Sequence, residues 1–367
     1  MGKAAVLTAL QAPLEIRHDV EHEAPHAGEL KIRLAASGVC HSDLSVQNGT
    51  IPLGPPMVLG HEGAGVVEEI GSGVTGFEVG DHVVLTFVPN CQECFFCRRD
   101  QGYLCEKSSM QMMGGLLDGT TRMTSQGQAL KQMALCGTFS EVAVVPAISA
   151  VRIDQDVPLK IAALLGCGVQ TGVGAATNTA DIRQGDTIAV VGCGGVGLNV
   201  VQGARIAGAE RIIAIDMNDT KLRLAESFGA TDTINASDGD PVAQVQALTG
   251  GRGADVAFEV IGLQQTIEQS MAMTRSGGET VLVGVPRLDV NLVFNPAFGA
   301  IYTAKTLKGC WYGSSNVGRE IPKLLALYKS GELRLDELIS REIKLDEVNE
   351  AFDAMKAGEV ARTVIVY

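Results

Sequence analysis

The sequence predicts a two-part α/β chain, in which a mainly β body carrying a cysteine-rich loop is joined to a doubly wound parallel sheet of six strands. Three observations predict it. From about Gly172, strand-like apolar runs alternate with helix-compatible segments at regular spacing, as in a parallel sheet with crossover helices. Over the first 150 residues, short Val-, Leu- and Ile-rich runs are punctuated by turns such as Gly71-Ser72-Gly73 and Gly80-Asp81, which reads as an all-β body with loops. Forty-four glycines in 367 residues are an excess, and most sit in runs that resemble turns and strand-to-helix connections.

In the β body, strands are expected at 31–34, 65–70, 82–85 and 141–145. In the second part they are expected at 187–191, 211–215, 231–235, 256–260, 280–283 and 306–311, with helical stretches at 196–207 and 221–227. The last fifty residues are more charged and helical, and they end in Thr363-Val364-Ile365-Val366, a strand able to return to the first domain. The implied domains are 1–168, with a lobe at about 88–108, then 169–311, then a return over 312–367. Hydrophobic residues at 46% and charged residues at 19% describe a soluble globular chain rather than a disordered one. A formal charge of −13 without a long basic run disfavours nucleic acid and anionic membranes as partners. Apolar stretches are short and broken by glycine, so no segment reads as a membrane span.

The first strand of the sheet runs into Gly192-Cys193-Gly194-Gly195-Val196-Gly197. The first glycine makes a tight turn, the second admits a pyrophosphate to the backbone, and the last lets helix and strand pack closely. The anion then faces amides at a helix N-terminus. Asp216 ends the next strand, where a carboxylate accepts hydrogen bonds from an adenosine ribose and repels a 2′-phosphate, so NAD is favoured over NADP. Lys221 either lies over the same ribose or is a surface lysine on a helix.

Cys91, Cys94, Cys97 and Cys105 are separated by gaps of two, two and seven residues, so one short loop can aim four sulfurs at one point. Zinc is the natural occupant of four thiolates in a closed tetrahedron. A disulfide pair or four buried thiols are the alternatives. The start Met1-Gly2-Lys3, with no apolar signal segment, leads to the expectation of a reducing, cytoplasmic setting, which favours the metal. Cys40 and Cys167 each sit in a glycine-bearing turn, while Cys136, Cys193 and Cys310 read as small buried thiols. His18, His22 and His26 lack a partner motif and read as solvated; His82, in a strand, reads as packing.

Gly38-Val39-Cys40-His41-Ser42-Asp43, Gly60-His61-Glu62-Gly63-Ala64-Gly65 and Leu165-Gly166-Cys167-Gly168 complete the set. Together these motifs resemble those of the zinc-dependent medium-chain alcohol dehydrogenases in the two-zinc form with a structural lobe, over almost the whole chain, up to Val360-Ala361-Arg362-Thr363. The resemblance implies a GroES-like catalytic domain and a Rossmann cofactor domain. It implies reversible hydride transfer between NAD and a primary or secondary alcohol, two zinc ions per chain and a homodimer that pairs through the segment around 291–308.

By the resemblance, Cys40, His61 and Cys167 hold the catalytic zinc and leave a fourth position open. Two thiolates and a neutral imidazole balance the zinc charge yet leave a Lewis acid able to acidify an alcohol. Ser42 matches the hydroxyl that takes the alcohol proton, with a turn serine as its alternative. Asp43 is expected to orient His61 through the other ring nitrogen, and Glu62 to sit behind the zinc or form a surface salt bridge. His41 and Arg362 correspond to cofactor-phosphate contacts, and Thr171, Val260, Val283 and Val285 to the nicotinamide half. Ile51, Phe87, Leu135, Val285 and Trp311 match positions around the substrate, an apolar set; for Trp311 a core or dimer-interface place is the alternative. In many family members a histidine five residues after the first cysteine ligand passes the proton to solvent, and here that position is Ser45.

The glutathione-dependent formaldehyde-oxidising class carries charged groups near its pocket mouth, at positions aligned with Ile51 and Ser109, which makes it the weaker enzyme reading. A catalytically silent zinc- and NAD-binding sensor would be expected to lack a ligand or the proton acceptor, and all are present. A zinc-free quinone reductase would lack both metal sets.

Overall fold

A single eleven-residue strand, Glu29–Val39, organises the first unit: it pairs on one side with Glu62–Ile70, on the other with Arg362–Val366, and at its start with Val142–Pro146. The computed structural model describes residues 1–358 and 361–367, without the side chains of 110–112, so Val360 of the segment quoted above lies outside the described residues. The chain divides into two compact units. One comprises Met1–Gly168, Asn316–Lys329 and Leu335–Tyr367; the other comprises Val169–Ser315 and Ser330–Arg334.

In the first unit, a seven-stranded sheet is joined by a closed barrel built from Gly2–Leu7, Glu15–His22, Met57–Val58, Met123–Ser125 and Gln128–Gln132. Alternation puts Leu30, Ile32 and Leu34 into one core with Val67, Val83, Leu85 and Val145. The terminal strand does return here, parallel to Ile339–Ile343 and antiparallel to Glu29–Val39.

The second unit is a six-stranded parallel sheet. Its strands are β1 (Thr187–Val191), β2 (Arg211–Asp216), β3 (Asp232–Asn235), β4 (Ala254–Glu259), β5 (Thr274–Leu282) and β6 (Thr306–Gly309). They lie in the order β3-β2-β1-β4-β5-β6, the doubly wound arrangement in which the order reverses beside β1. Strand β1 is buried throughout, as a strand covered on both faces must be.

Several expectations need correction. Val260 lies beyond the end of β4, β5 begins six residues before the expected Thr280, and β6 stops at Gly309, so Trp311 is outside the sheet. The second domain boundary falls after Ser315 rather than 311, because Ser315 is hydrogen-bonded by Gln170 and Asn178. Residues 330–334 belong to the second unit, where Gln202 bonds Arg334 through both its amide nitrogen and its oxygen, at 3.0 and 2.8 Å. Cys310 is half-buried, with its Sγ 3.3 Å from the Thr179 hydroxyl.

His22 is not solvated as expected. It is half-buried in Glu15–His22 with Nε2 3.2 Å from Ser140 Oγ, and burial, reinforced by the charge of Lys31, lowers its pKa from 6.5 to about 4. Between those values the unfolded chain binds the proton more readily. Stability should therefore fall as pH drops from about 6.5 to about 4, by at most about 3 kcal/mol from this group. Urea midpoints measured across that window should slope less in His22→Gln than in the unmodified protein; equal slopes would exclude His22 as the titrating group.

Candidate functional site

Strand register brings the first cluster together. Gly38 pairs with Glu62 and Val39 with Thr363, so Cys40, the His61-Glu62 pair and Arg362 arrive at the same end of three neighbouring strands. Cys167 follows the helix Leu159–Leu164 and joins them. The donor atoms of Cys40, His61, Glu62 and Cys167 all lie within 4.8 Å of one another, and all four residues are buried.

Cys40 caps helix α1 (His41–Gln47), and Asp43 occupies the third helical position, where a carboxylate reaches back to the capping residue. Asp43 accepts from the Cys40 amide at 2.9 Å and the Gly60 amide at 3.2 Å, and its Oδ1 lies 2.9 Å from His61 Nδ1. One fully buried carboxylate thus fixes both ligand-bearing segments and leaves His61 Nε2 as the ring nitrogen for a metal. A hydrogen bond from Cys167 holds Cys40 well below the usual thiol range against the cost of burial, helped by His61 and the Arg362 charge. Burial opposes protonation of His61, but Asp43 and the Cys40 sulfur raise it to about 10. A dication held here would displace the His61 proton and take its place as the positive partner of the sulfurs, and two sulfurs with an imidazole are a donor set suited to zinc.

Glu62 does not form a surface salt bridge. It is fully buried, its Oε2 pairs with the Arg362 guanidinium, and its Oε1 accepts from the Gly168 amide at 3.2 Å. Arg362 is itself 6% exposed, held at the back of the cluster. Ser42 Oγ is 3.9 Å from Cys40 Sγ. The Phe87 ring stands edge-on to His61, with centroids 5.5 Å apart, and Ile51 and Phe87 both pack against the barrel core. Leu135 is fully buried in a short turn, whereas Trp311 and Val285, in the other unit, are 40% and 58% exposed.

The second cluster is Cys91, Cys94, Cys97 and Cys105, whose sulfurs also lie within 4.8 Å of one another; Cys91 and Cys97 are 3.8 Å apart. The amides of Cys94 and Cys97 point at the sulfurs of Cys91 and Cys94, at 3.4 and 3.5 Å. Burial and the neighbouring sulfurs push the Cys97 thiol up, and burial raises Cys105. In Cys94 burial is outweighed by backbone hydrogen bonds that draw it down to about 6. Four sulfurs so close cannot all ionise without a compensating cation, which zinc supplies. All nine cysteines are free thiols, so the disulfide alternative is not realised.

In the second unit, Gly192 to Gly197 form the turn between β1 and helix α2 (Gly195–Ile206). A Cβ on Gly197 would overlap the Gly192 carbonyl oxygen, so only glycine permits this closeness. The cap residue Gly194 offers no side chain to the helix, which leaves its first amides for an anion. Asp216 accepts from the Cys193 amide at 2.8 Å and the Asn218 amide at 3.0 Å, tying the end of β2 to the glycine turn. Lys221, Thr171 and Val260 are half-buried, Val283 is buried, and His41 is exposed at the first position of α1.

Sequence reasoning missed Met217 and Ile261, two exposed apolar side chains at 73% and 44%, beside Asp216 and Gly192. The available signal was an apolar residue within two positions of each strand end. It also missed Glu259, a buried carboxylate at the end of β4.

Residues 26–155 match the model of the alcohol dehydrogenase GroES-like domain, and residues 195–330 that of the zinc-binding dehydrogenases. The class-3 alcohol dehydrogenase of Drosophila melanogaster is 40% identical over 372 residues, covering 100% of this chain and 97% of that protein. An alcohol dehydrogenase zinc-binding domain protein from Burkholderia ambifaria is 34% identical, with a TM-score of 0.94 over 100% of this chain and 98% of that one. Benzyl alcohol dehydrogenase from Acinetobacter calcoaceticus is 30% identical, with a TM-score of 0.93 over 100% and 99%.

Proposed function

The chain belongs to the zinc-dependent medium-chain alcohol dehydrogenases, and from that premise we propose that it oxidises primary aliphatic or benzylic alcohols to aldehydes with NAD. The observation that carries this is the buried convergence of Cys40, His61 and Cys167, with Asp43 fixing the imidazole. These three would hold a catalytic zinc, and Cys91, Cys94, Cys97 and Cys105 a structural one. When bound, the catalytic zinc supplies the Lewis acidity that makes an alcohol acidic at neutral pH.

The chain's own residues do the rest. Ser42, beside Cys40, takes the alcohol proton; Ser45 cannot store it as an imidazole would, so water completes its release. Asp216 retains lone pairs for ribose hydroxyls after its two amide bonds, and its charge opposes a 2′-phosphate. The helix α2 amides receive the pyrophosphate; Arg362, 6% exposed and paired with Glu62, is committed to that carboxylate rather than to a phosphate. Met217 and Ile261 offer apolar flanks to an adenine, and Thr171, Val260, Val283 and Val285 border the nicotinamide.

Neither Ile51, Phe87 and Leu135 in the first unit nor Trp311 in the second carries a charge, and Ser109 spends its hydroxyl on the Glu106 carbonyl at 3.0 Å. This favours plain alcohols over a thiol adduct, although the 40% identity to a class-3 enzyme keeps the S-hydroxymethyl thiol adduct as the second reading. NADH formation should be followed across straight-chain, branched and benzylic alcohols and S-hydroxymethylglutathione, each with NAD and NADP. Fastest turnover of the glutathione adduct would replace the first reading by the second, and equal use of NADP would remove the role given to Asp216.

We read the assembly as a homodimer. Strand β6 is the sheet edge, and Val293, Phe294, Phe298, Ile301, Tyr302 and Leu307 around it are 43% to 83% exposed. Sedimentation should give twice the mass of the chain; a monomer would refute it. Nine free thiols fit a reducing cytoplasm. Among the described residues, no helix is long and apolar enough to cross a membrane.

A further inference from the structure

Glu259 ends β4 with its side chain fully buried, so its oxygens must find donors within the protein. One oxygen gathers three. Oε1 accepts from the amides of Ile261 at 2.9 Å and Gly262 at 2.8 Å, and lies 2.7 Å from the Thr266 hydroxyl. Oε2 is buried and has no hydrogen-bond partner. The main chain of the same residue serves the next segment: its carbonyl accepts from Val283 at 2.8 Å and Gly284 at 3.0 Å. The following amide, that of Val260, donates to Val191 at 2.9 Å, immediately before the glycine turn.

Helix α3 (Gln264–Met273) begins just beyond, and its cap residue Leu263 provides no side-chain hydrogen bond. Thr266 is the third residue of that helix. The Glu259 carboxyl therefore ties the first turn of this helix, through the Thr266 hydroxyl, to the amides of residues 261 and 262 and so holds residues 260–263 in a tight turn. Three segments that face a dinucleotide, after β1, after β4 and after β5, are thereby referred to one residue.

We propose that Glu259 is a positioning residue for the dinucleotide: its Oε1 holds the 260–263 turn in the form that presents Val260 to the nicotinamide half and Ile261 to the adenine half. This rests on the dinucleotide reading above. The asymmetry of the two oxygens makes the role specific to an acceptor at one position. A glutamine can supply that acceptor and put its NH2 where Oε2 makes no bond, whereas methionine has the length but no acceptor.

NADH is titrated by fluorescence into the unmodified protein first, since absence of binding there overturns the dinucleotide reading itself. Glu259→Met, with circular dichroism and zinc content like those of the unmodified protein, is expected to bind NADH at least tenfold more weakly. Its KM for NAD should rise by a similar factor while KM for the alcohol stays within threefold. Glu259→Gln is expected to bind at least fivefold more tightly than Glu259→Met. A folded Glu259→Met with NADH affinity within twofold of the unmodified protein overturns the role of Glu259 and leaves the dinucleotide reading intact. Should that variant fail to fold, Thr266→Val decides: threefold or greater weakening supports the proposal, and unaltered affinity overturns it.

Discussion

Cys167→Ser is expected to lower alcohol oxidation by at least about a thousandfold while NADH still binds and one of two zinc ions per chain remains. A Lewis acid contributes several kcal/mol to such a reaction, and each 1.4 kcal/mol or so is a factor of ten in rate. Serine cannot replace the cysteine, because its hydroxyl does not ionise near neutral pH and is a poor ligand for a borderline-soft cation. The loss spreads to Cys40, whose thiol is held low chiefly by its hydrogen bond from Cys167. The glycine turn at 192–197 and Asp216 belong to the other compact unit, and the four-cysteine lobe has its own ligands, so neither depends on this sulfur. Elemental analysis should give two zinc ions per unmodified chain, with the catalytic one leaving first on brief chelation. Full turnover with two zinc ions in Cys167→Ser would remove Cys167 from the metal site.

What could be read from the sequence was what local chemistry dictates. Four cysteines within fifteen positions can meet only through one loop, and they do. A glycine-rich turn between a wholly apolar strand and a helix has few other uses, and it stands between β1 and α2 with Asp216 at the neighbouring strand end. The Asp43 contact to His61 was implied by the family resemblance, whereas local helix geometry accounts only for the return of the Asp43 carboxylate to its cap, Cys40.

Contacts set by strand register were not legible. His22 alternates out of the solvent only because its strand bends into a barrel and meets Ser140, 118 residues away. The Oε1 of Glu259 finds its donors within seven residues, yet no residue pattern marks that carboxylate as inward-facing, since charged residues at strand ends are ordinarily solvated. The pairing of Glu62 with Arg362, 300 residues apart, required knowing that the last strand returns beside Glu29–Val39.

That pair carries the second large effect: Arg362→Met should destabilise the first unit by about 3–5 kcal/mol, the range for leaving one member of a buried ion pair alone. Glu62 and Arg362 open strands on opposite sides of Glu29–Val39, and they meet across Gly38, where a Cβ would overlap the Glu62 carboxylate. With the guanidinium gone, Glu62 keeps among the described residues the Gly168 amide as its donor, at 3.2 Å, while fully buried beside Cys40, whose thiol is held well below its usual range. Adding Glu62→Gln to Arg362→Met removes the stranded charge, so the double variant should be more stable than Arg362→Met alone. The coupling measured by the cycle should reach roughly 1–3 kcal/mol, as for residues in direct contact. Far-ultraviolet circular dichroism during guanidinium unfolding would measure it. An Arg362→Met variant within 1 kcal/mol of the unmodified protein, on the scale of an exposed pair, would mean that solvent reaches Glu62 and that its charge is not sealed behind the metal ligands.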